Sequence, residues 1–148
     1  MFVNINNLNK SLKKFLKNKP FNHCVIDNFF KPKFAKKLEK DFPDYESDIW
    51  QSYNNSIEVK KICNNWNLFP GDTYKVLSYL NSNEFVTILE NVISNKKKLY
   101  TDIGLNGGGW HIHKQGGKLN THLDYSAHPK LGLQRKLNLI IYLNSKWR

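Results

Sequence analysis

The sequence predicts an α+β fold, because its segments with helical periodicity come first and its short strand candidates follow. Residues 1–95 are expected to be mainly helical, and residues 96–148 to form strands separated by glycine-rich turns. Consecutive strands after helices indicate a jelly-roll-like pair of sheets packed under those helices. At 148 residues, the chain is expected to be a single domain that is long enough to bury a core.

Two N-terminal helices are predicted by apolar residues at helical spacing. The first runs over residues 8–17, with a basic solvent face, and ends before Pro20. The second begins at Pro32, which suits the first turn of a helix, and aligns Phe34, Leu38 and Phe42 on one side. Between them, residues 23–30 resemble a strand that leads into a turn.

The middle of the chain is predicted to contain one short strand and then further helices. Residues 49–53 alternate as a strand does, and residues 56–91 are expected to be mostly helical. The breaks in this stretch are Pro70-Gly71 and Asn81-Ser82-Asn83, whose residues favour turns and helix caps.

Four strand candidates follow, at residues 99–103, 110–113, 118–124 and 136–144. In the last of them, Lys136, Asn138, Ile140 and Tyr142 would share one face, because strand side chains alternate. That face is polar enough to line a pocket, and the leucine-rich opposite face would join the core.

The net charge of +11 is made almost entirely of lysine, which supplies 21 of the 23 basic residues. Asparagine is nearly as abundant, with 20 residues, and a gene rich in A and T would raise both residue types. Arginine, the residue best suited to phosphate and guanine, occurs only at positions 135 and 148. We therefore expect no specific binding of nucleic acid.

No apolar run approaches the roughly 20 residues that cross a bilayer. The N-terminus also lacks the basic region followed by an apolar region that is typical of a signal peptide. The sequence therefore predicts a cytoplasmic protein without a membrane association. Cys24 and Cys63 are expected to be reduced thiols.

His122 and Asp124 are the most informative residues of the chain. They are two positions apart, so on a strand both side chains would point to the same face and could bind one ion. A histidine and a carboxylate held in this way are two thirds of the 2-His-1-carboxylate site that binds Fe(II) and leaves positions open for a co-substrate and O₂.

Three segments extend this motif: Val-Ile-Asp-Asn-Phe-Phe at 25–30, Gly-Gly-Lys-Leu-Asn-Thr-His-Leu-Asp at 116–124, and Arg-Lys-Leu-Asn-Leu-Ile-Ile-Tyr-Leu-Asn at 135–144. With them, the chain resembles the Fe(II)/2-oxoglutarate-dependent dioxygenases, and among these the prolyl-4-hydroxylase-like group. The resemblance implies a double-stranded β-helix, Fe(II) bound by His122 and Asp124, and 2-oxoglutarate as co-substrate. It implies a small-molecule or peptide substrate, such as a peptidyl proline.

The resemblance also implies the residues that would hold the co-substrate. Tyr142 matches a tyrosine that hydrogen-bonds the distal carboxylate of 2-oxoglutarate, and Asn138 lies on the same predicted face. His113 occupies about the position of a second co-substrate-binding tyrosine. Lys136 or Arg135 could supply the cation that pairs with the carboxylate.

The distal histidine and basic residue of the family have no counterpart before Arg148, so the chain resembles the N-terminal part of such a domain. A truncated reading frame would explain this, and the chain alone is expected to show weak iron affinity and little turnover. Three alternatives stay open: a non-catalytic domain that binds a partner, a basic nucleic-acid binder, and a cupin-like site that uses His111 and His113. The substrate and the oligomeric state are not indicated.

Overall fold

The α+β class is confirmed by a computed structural model, which describes residues 1–93 and 98–145. The chain divides into two compact units, which are considered separately below. Unit 1 comprises Met1–Phe42, Gly71–Thr101 and Leu143–Arg148, and unit 2 comprises Pro43–Pro70 and Asp102–Tyr142. The predicted boundary at residues 95 and 96 lies outside the described residues. None of the described helices is long and apolar enough to cross a membrane.

The described residues of unit 1 form four α-helices, and three of these begin with an ordinary helix-start signal. They are α1 (Ile5–Leu12), α2 (Pro32–Asp41), α3 (Gly71–Leu80) and α4 (Asn83–Ile93). The side chain of Asn4 accepts a hydrogen bond from the Asn7 amide and so caps α1, while a proline opens α2. The Ser82 hydroxyl accepts a bond from the Phe85 amide at the start of α4. The predicted second helix and the predicted breaks after residues 70 and 80 are thereby confirmed.

The core of unit 1 forms where α1 meets α4. Leu8, Leu12 and Phe85 are almost completely buried there, and a ring of partly buried apolar side chains surrounds them. Phe2 extends this core by stacking on Phe34, with ring centroids 4.7 Å apart. The apolar face of α1 is therefore used inside unit 1. The helix predicted over residues 8–17 ends at Leu12, and residues 13–17 form turns in which the lysines are exposed.

Unit 2 is built on an antiparallel sheet in which the second strand pairs with each of the others. The strands are β1 (Gln51–Asn54), β2 (Glu58–Cys63), β3 (Trp110–Ile112) and β4 (Lys118–Leu119). β1 lies on one side of β2, and β3 and β4 pair with β2 at its two ends.

The core of unit 2 is aromatic. Trp50, Phe69 and Trp110 are buried, and the rings of Phe69 and Trp110 meet edge to face at 5.0 Å. The indole N–H of Trp50 donates to the carbonyl of Asp44 at 2.7 Å, and that of Trp66 donates to the carbonyl of Ile103 at 2.8 Å. Each indole thus packs its ring while satisfying its polar atom.

Several predictions of strands and helices are wrong, because they took no account of which segments pair with one another. The segment expected to be helical from residue 56 begins with β2, while residues 23–28, 99–103 and 136–144 form no strand. Of the predicted strand at 118–124, two residues pair. A strand needs a neighbour for its hydrogen bonds, and among the described residues none pairs along 136–144. The four described strands form one open sheet, and the jelly-roll stays a prediction.

Leu8→Ala should lower the free energy of unfolding of unit 1 by about 2–5 kcal/mol, because Leu8 is 0% exposed. Leu16→Ala is the matched control, since Leu16 is 54% exposed and its truncation should cost less than about 0.5 kcal/mol. Urea unfolding followed by helical circular dichroism measures both. Equal losses for the two variants would contradict the core assignment.

Gly109→Ala should destabilise unit 2 by about 3 kcal/mol or more. Gly109 has a φ of +90°, and an added Cβ would lie 2.2 Å from the carbonyl oxygen of Cys63 on β2. Gly116→Ala is the control, because Gly116 has a similar φ of +81° but open space around it. That variant should cost about 1–2 kcal/mol. Urea unfolding followed by tryptophan fluorescence distinguishes them, and a smaller effect at Gly109 would refute the packing described.

Candidate metal site

Asn120 fixes the start of the predicted metal motif against β2. Its amide donates to the Ile57 carbonyl at 2.8 Å, and its side-chain nitrogen donates to the Ser56 carbonyl at 2.9 Å. Its own carbonyl oxygen lies 2.7 Å from Nδ1 of His122. The imidazole is therefore oriented by a residue that the sheet holds in place.

His122 and Asp124 are brought together as the spacing predicted, although no strand carries them. His122 Nε2 lies 3.3 Å from Asp124 Oδ1, and Nη2 of Arg135 lies 3.3 Å from the other carboxylate oxygen, Oδ2. The three side chains are partly exposed. The carboxylate of Asp124 thus has a histidine on one oxygen and a guanidinium on the other.

A hairpin-like loop returns Arg135 to this carboxylate. Ala127 and Gln134 form an isolated antiparallel bridge, and the amide of Arg135 donates to the Ser126 carbonyl at 3.0 Å. Gly132 turns the loop with a φ of +64°, a conformation that glycine adopts without strain. Arg135 therefore reaches Asp124 from eleven positions further along the chain.

The hydrogen bonds of His122 define which of its nitrogens could bind a metal. A carbonyl oxygen can only accept, so Nδ1 of His122 must carry the proton that it shares with Asn120. In the neutral ring, Nε2 then presents a lone pair toward Asp124 Oδ1. Two electron-rich atoms at that distance repel unless a proton or a cation lies at Nε2. The pair is thus suited to binding either one.

The predicted co-substrate residues are exposed. His113 follows β3, and Lys136, Asn138 and Tyr142 all have solvent-exposed side chains, Tyr142 to 71%. Leu137 and Ile141 are less exposed than the residues on either side of them. The predicted alternation of covered and exposed side chains is therefore present in part of this segment. Among the described residues, no hydrogen bond or ion pair joins His113, Lys136 or Asn138 to the His122–Asp124 pair.

Among the described residues, no third protein ligand lies beside the pair. Within residues 1–93 and 98–145, no three His, Cys, Asp or Glu side chains come close enough together to hold a metal ion. His111, the cupin-like alternative, instead contacts the carbonyls of Gly107 and Gly108. Desolvation, and then the positive charge of Lys60, lower the pKa of His111.

His128 has a structural role that sequence reasoning missed. Its Nδ1 accepts hydrogen bonds from the amides of Lys130, at 3.2 Å, and Leu131, at 3.0 Å, so its proton is on Nε2. Nε2 lies 3.2 Å from Oδ1 of Asp102. The His-Pro sequence and Gly132 were the available signal for a tight turn, and the imidazole closes that turn.

His122 and His128 should therefore be opposite tautomers when neutral, with the proton on Nδ1 in His122 and on Nε2 in His128. Long-range ¹H–¹⁵N correlation spectra distinguish the two forms directly. His122→Ala and His128→Ala assign the signals. Finding His122 protonated on Nε2 alone would contradict the orienting bond to Asn120.

The chain matches no protein-family model, and no curated protein or solved structure is detectably similar to it. The strongest arrangement among its own side chains is the cluster of His122, Asp124 and Arg135.

Proposed function

We propose that this chain is a domain of an Fe(II)/2-oxoglutarate-dependent dioxygenase with a jelly-roll architecture, related to the prolyl-4-hydroxylase-like group. The observation that carries the proposal is the 3.3 Å approach of His122 Nε2 to Asp124 Oδ1, with Nδ1 of the same ring held by a carbonyl. A backbone carbonyl on the second ring nitrogen is a common partner of metal-binding histidines, because it selects the tautomer that leaves the first nitrogen free.

The separation of the two atoms fits a shared metal ion. With metal–ligand distances of about 2.1 Å, ligand atoms 3.3 Å apart subtend about 100° at the metal. That angle suits two adjacent positions of a roughly octahedral or tetrahedral site. Arg135 occupies Oδ2 of Asp124, which favours binding of the metal through Oδ1 alone.

The described residues would perform three tasks in such a site. His122 and Asp124 would hold the ion, Asn120 would orient the imidazole, and Arg135 would orient the carboxylate. When bound, Fe(II) and 2-oxoglutarate supply the activation of O₂ for hydroxylation. Because two protein ligands hold a metal more weakly than three, we expect low affinity and little turnover from these residues alone.

The co-substrate assignment follows the same proposal. Tyr142 and Asn138, with Lys136 and His113, would meet the carboxylates of 2-oxoglutarate. Their exposed phenol, amide, ammonium and imidazole groups can all donate hydrogen bonds to a carboxylate. The substrate would be a small molecule or a peptide. Tyr142→Phe should weaken 2-oxoglutarate binding without changing the affinity for metal.

Mn(II), a spectroscopic substitute for Fe(II), should bind to the chain at one site that includes His122 and Asp124. His122→Ala and Asp124→Ala should each lower this affinity by about tenfold or more, because each removes one of two protein ligands. Relaxation enhancement of water protons, or electron paramagnetic resonance of free Mn(II), measures the binding.

His23→Ala is the matched control, because His23 also has Nδ1 against a carbonyl two residues away, that of Phe21, but no carboxylate of the described residues forms an ion pair with it. Its Mn(II) affinity should equal that of the unaltered chain. The catalytic part of the proposal is tested with Fe(II), where succinate release should require 2-oxoglutarate and His122. Equal Mn(II) affinity in all of these variants would refute the metal site.

A further inference from the structure

The positive charge of the chain is concentrated at its N-terminus. Residues 1–40 contain ten lysines and two acidic residues, a net charge of +8 out of the total of +11. The remaining 108 residues carry 13 basic and ten acidic residues, a net charge of +3. A uniform bias in gene composition does not by itself predict this concentration of lysine.

The lysines on and just after α1 are not neutralised by neighbours. Lys10, Lys13, Lys14, Lys17 and Lys19 are all exposed, and within the described part of the chain no carboxylate lies at ion-pair distance from any of them. Lys10 is in the last turn of α1 and Lys13 is its C-cap, where positive charge suits the helix dipole, and the other three lysines follow the helix. Five like charges so close in sequence repel one another, so this segment attracts anions.

A groove runs between residues 23–27 on one side and α1 with the turn that follows it on the other. Asn7 Nδ2 donates to the Asp27 carbonyl at 3.0 Å, and Asn18 Nδ2 donates to the His23 carbonyl at 2.9 Å. The first bond holds the segment of residues 23–27 against α1, and the second holds it against the turn that follows α1. The groove between them has a volume of about 490 Å³, within the range of small-molecule sites.

The chemistry of the groove selects a class of ligand. Lys10 and Ser11 at the end of α1, together with Lys14 in the turn that follows it, line one side of the groove, and Asp27 lines the opposite side. Because both lysines line one groove, their ammonium groups can address one phosphate group. The carboxylate of Asp27 can accept hydrogen bonds from hydroxyl groups. Of the residues that line the groove, none is aromatic, so a nucleobase would find no ring to stack on.

We propose that this groove binds a small phosphorylated polyol, such as a sugar phosphate, with Lys10 and Lys14 on the phosphate and Asp27 on the hydroxyl groups. The site belongs to unit 1 and is independent of the proposed metal site in unit 2. Failure of one proposal therefore leaves the other intact.

Calorimetric titration with glucose 6-phosphate tests this site directly. Saturable binding is expected, and the double substitution Lys10→Gln with Lys14→Gln should weaken it by about tenfold or more, since each removes a charge-assisted hydrogen bond. The control is Lys36→Gln with Lys40→Gln on α2, which removes the same charge at the same spacing and should leave the affinity within about twofold. Asp27→Asn should weaken glucose 6-phosphate more than inorganic phosphate.

Three results would overturn the proposal. The first is an absence of saturable binding, and the second is an equal loss of affinity in both double variants. The third is that a single-stranded oligonucleotide, or a vesicle of phosphatidylserine and phosphatidylcholine, binds more tightly than glucose 6-phosphate and loses equal affinity in both double variants. That pattern would identify a general polyanion surface. Thermal melts confirm that each variant is folded.

Cys24 lines the same groove and supplies a local footprint. Burial raises the pKa of the Cys24 thiol, so alkylation by iodoacetamide should be slow at neutral pH and accelerate in mild alkali. Glucose 6-phosphate should slow this alkylation in the unaltered chain and not in the Lys10/Lys14 double variant. Peptide mass spectrometry separates Cys24 from Cys63, which is buried in unit 2. Binding without protection of Cys24 would place the ligand elsewhere and refute the groove.

Discussion

The pairing of β2 is the interaction on which unit 2 depends. β2 bonds to β1, β3 and β4, and the backbone just before it, at Ser56 and Ile57, accepts both hydrogen bonds from Asn120. Asn120 in turn orients His122. Loss of this strand would therefore remove the aromatic core on one side and the alignment of the candidate metal ligands on the other. Both the stability of unit 2 and the geometry of its candidate metal site therefore depend on β2.

β2 is also the strand that the sequence pattern failed to predict. Its lysines do not face open water: Lys60 pairs with Glu58 at 2.7 Å, and Lys61 lies 4.0 Å from the ring centre of Tyr45 while donating to that residue's carbonyl. Because charged side chains are covered on both faces, polar and apolar residues do not alternate. The α2 helix was predictable for the opposite reason, since Pro32 and the spacing of its apolar residues act within one element.

The sequence correctly predicted that His122 and Asp124 lie close together, although the strand that was expected to carry them does not form. Period-two geometry predicted that the two side chains would meet, and they do, but through a turn that Asn120 anchors. The approach of Arg135 to Asp124 and the turn closed by His128 depend on the bridge between Ala127 and Gln134, a contact that no spacing rule indicates. Sequence reasoning thus identified the candidate ligands but not the groups that orient them.

The net charge alone describes this chain poorly, because its lysines lie in two different environments. Lys60 and Lys61 in unit 2 are largely covered and paired, so they contribute to packing as much as to charge. The lysines on and just after α1 are exposed, and in the described structure no carboxylate lies at ion-pair distance from them, while the apolar side of α1 is buried on Phe85. Lysine-rich composition could produce the first pattern by chance. It does not account for a run of mutually repelling charges beside a groove that two asparagines hold in shape, and an anionic ligand would relieve that repulsion.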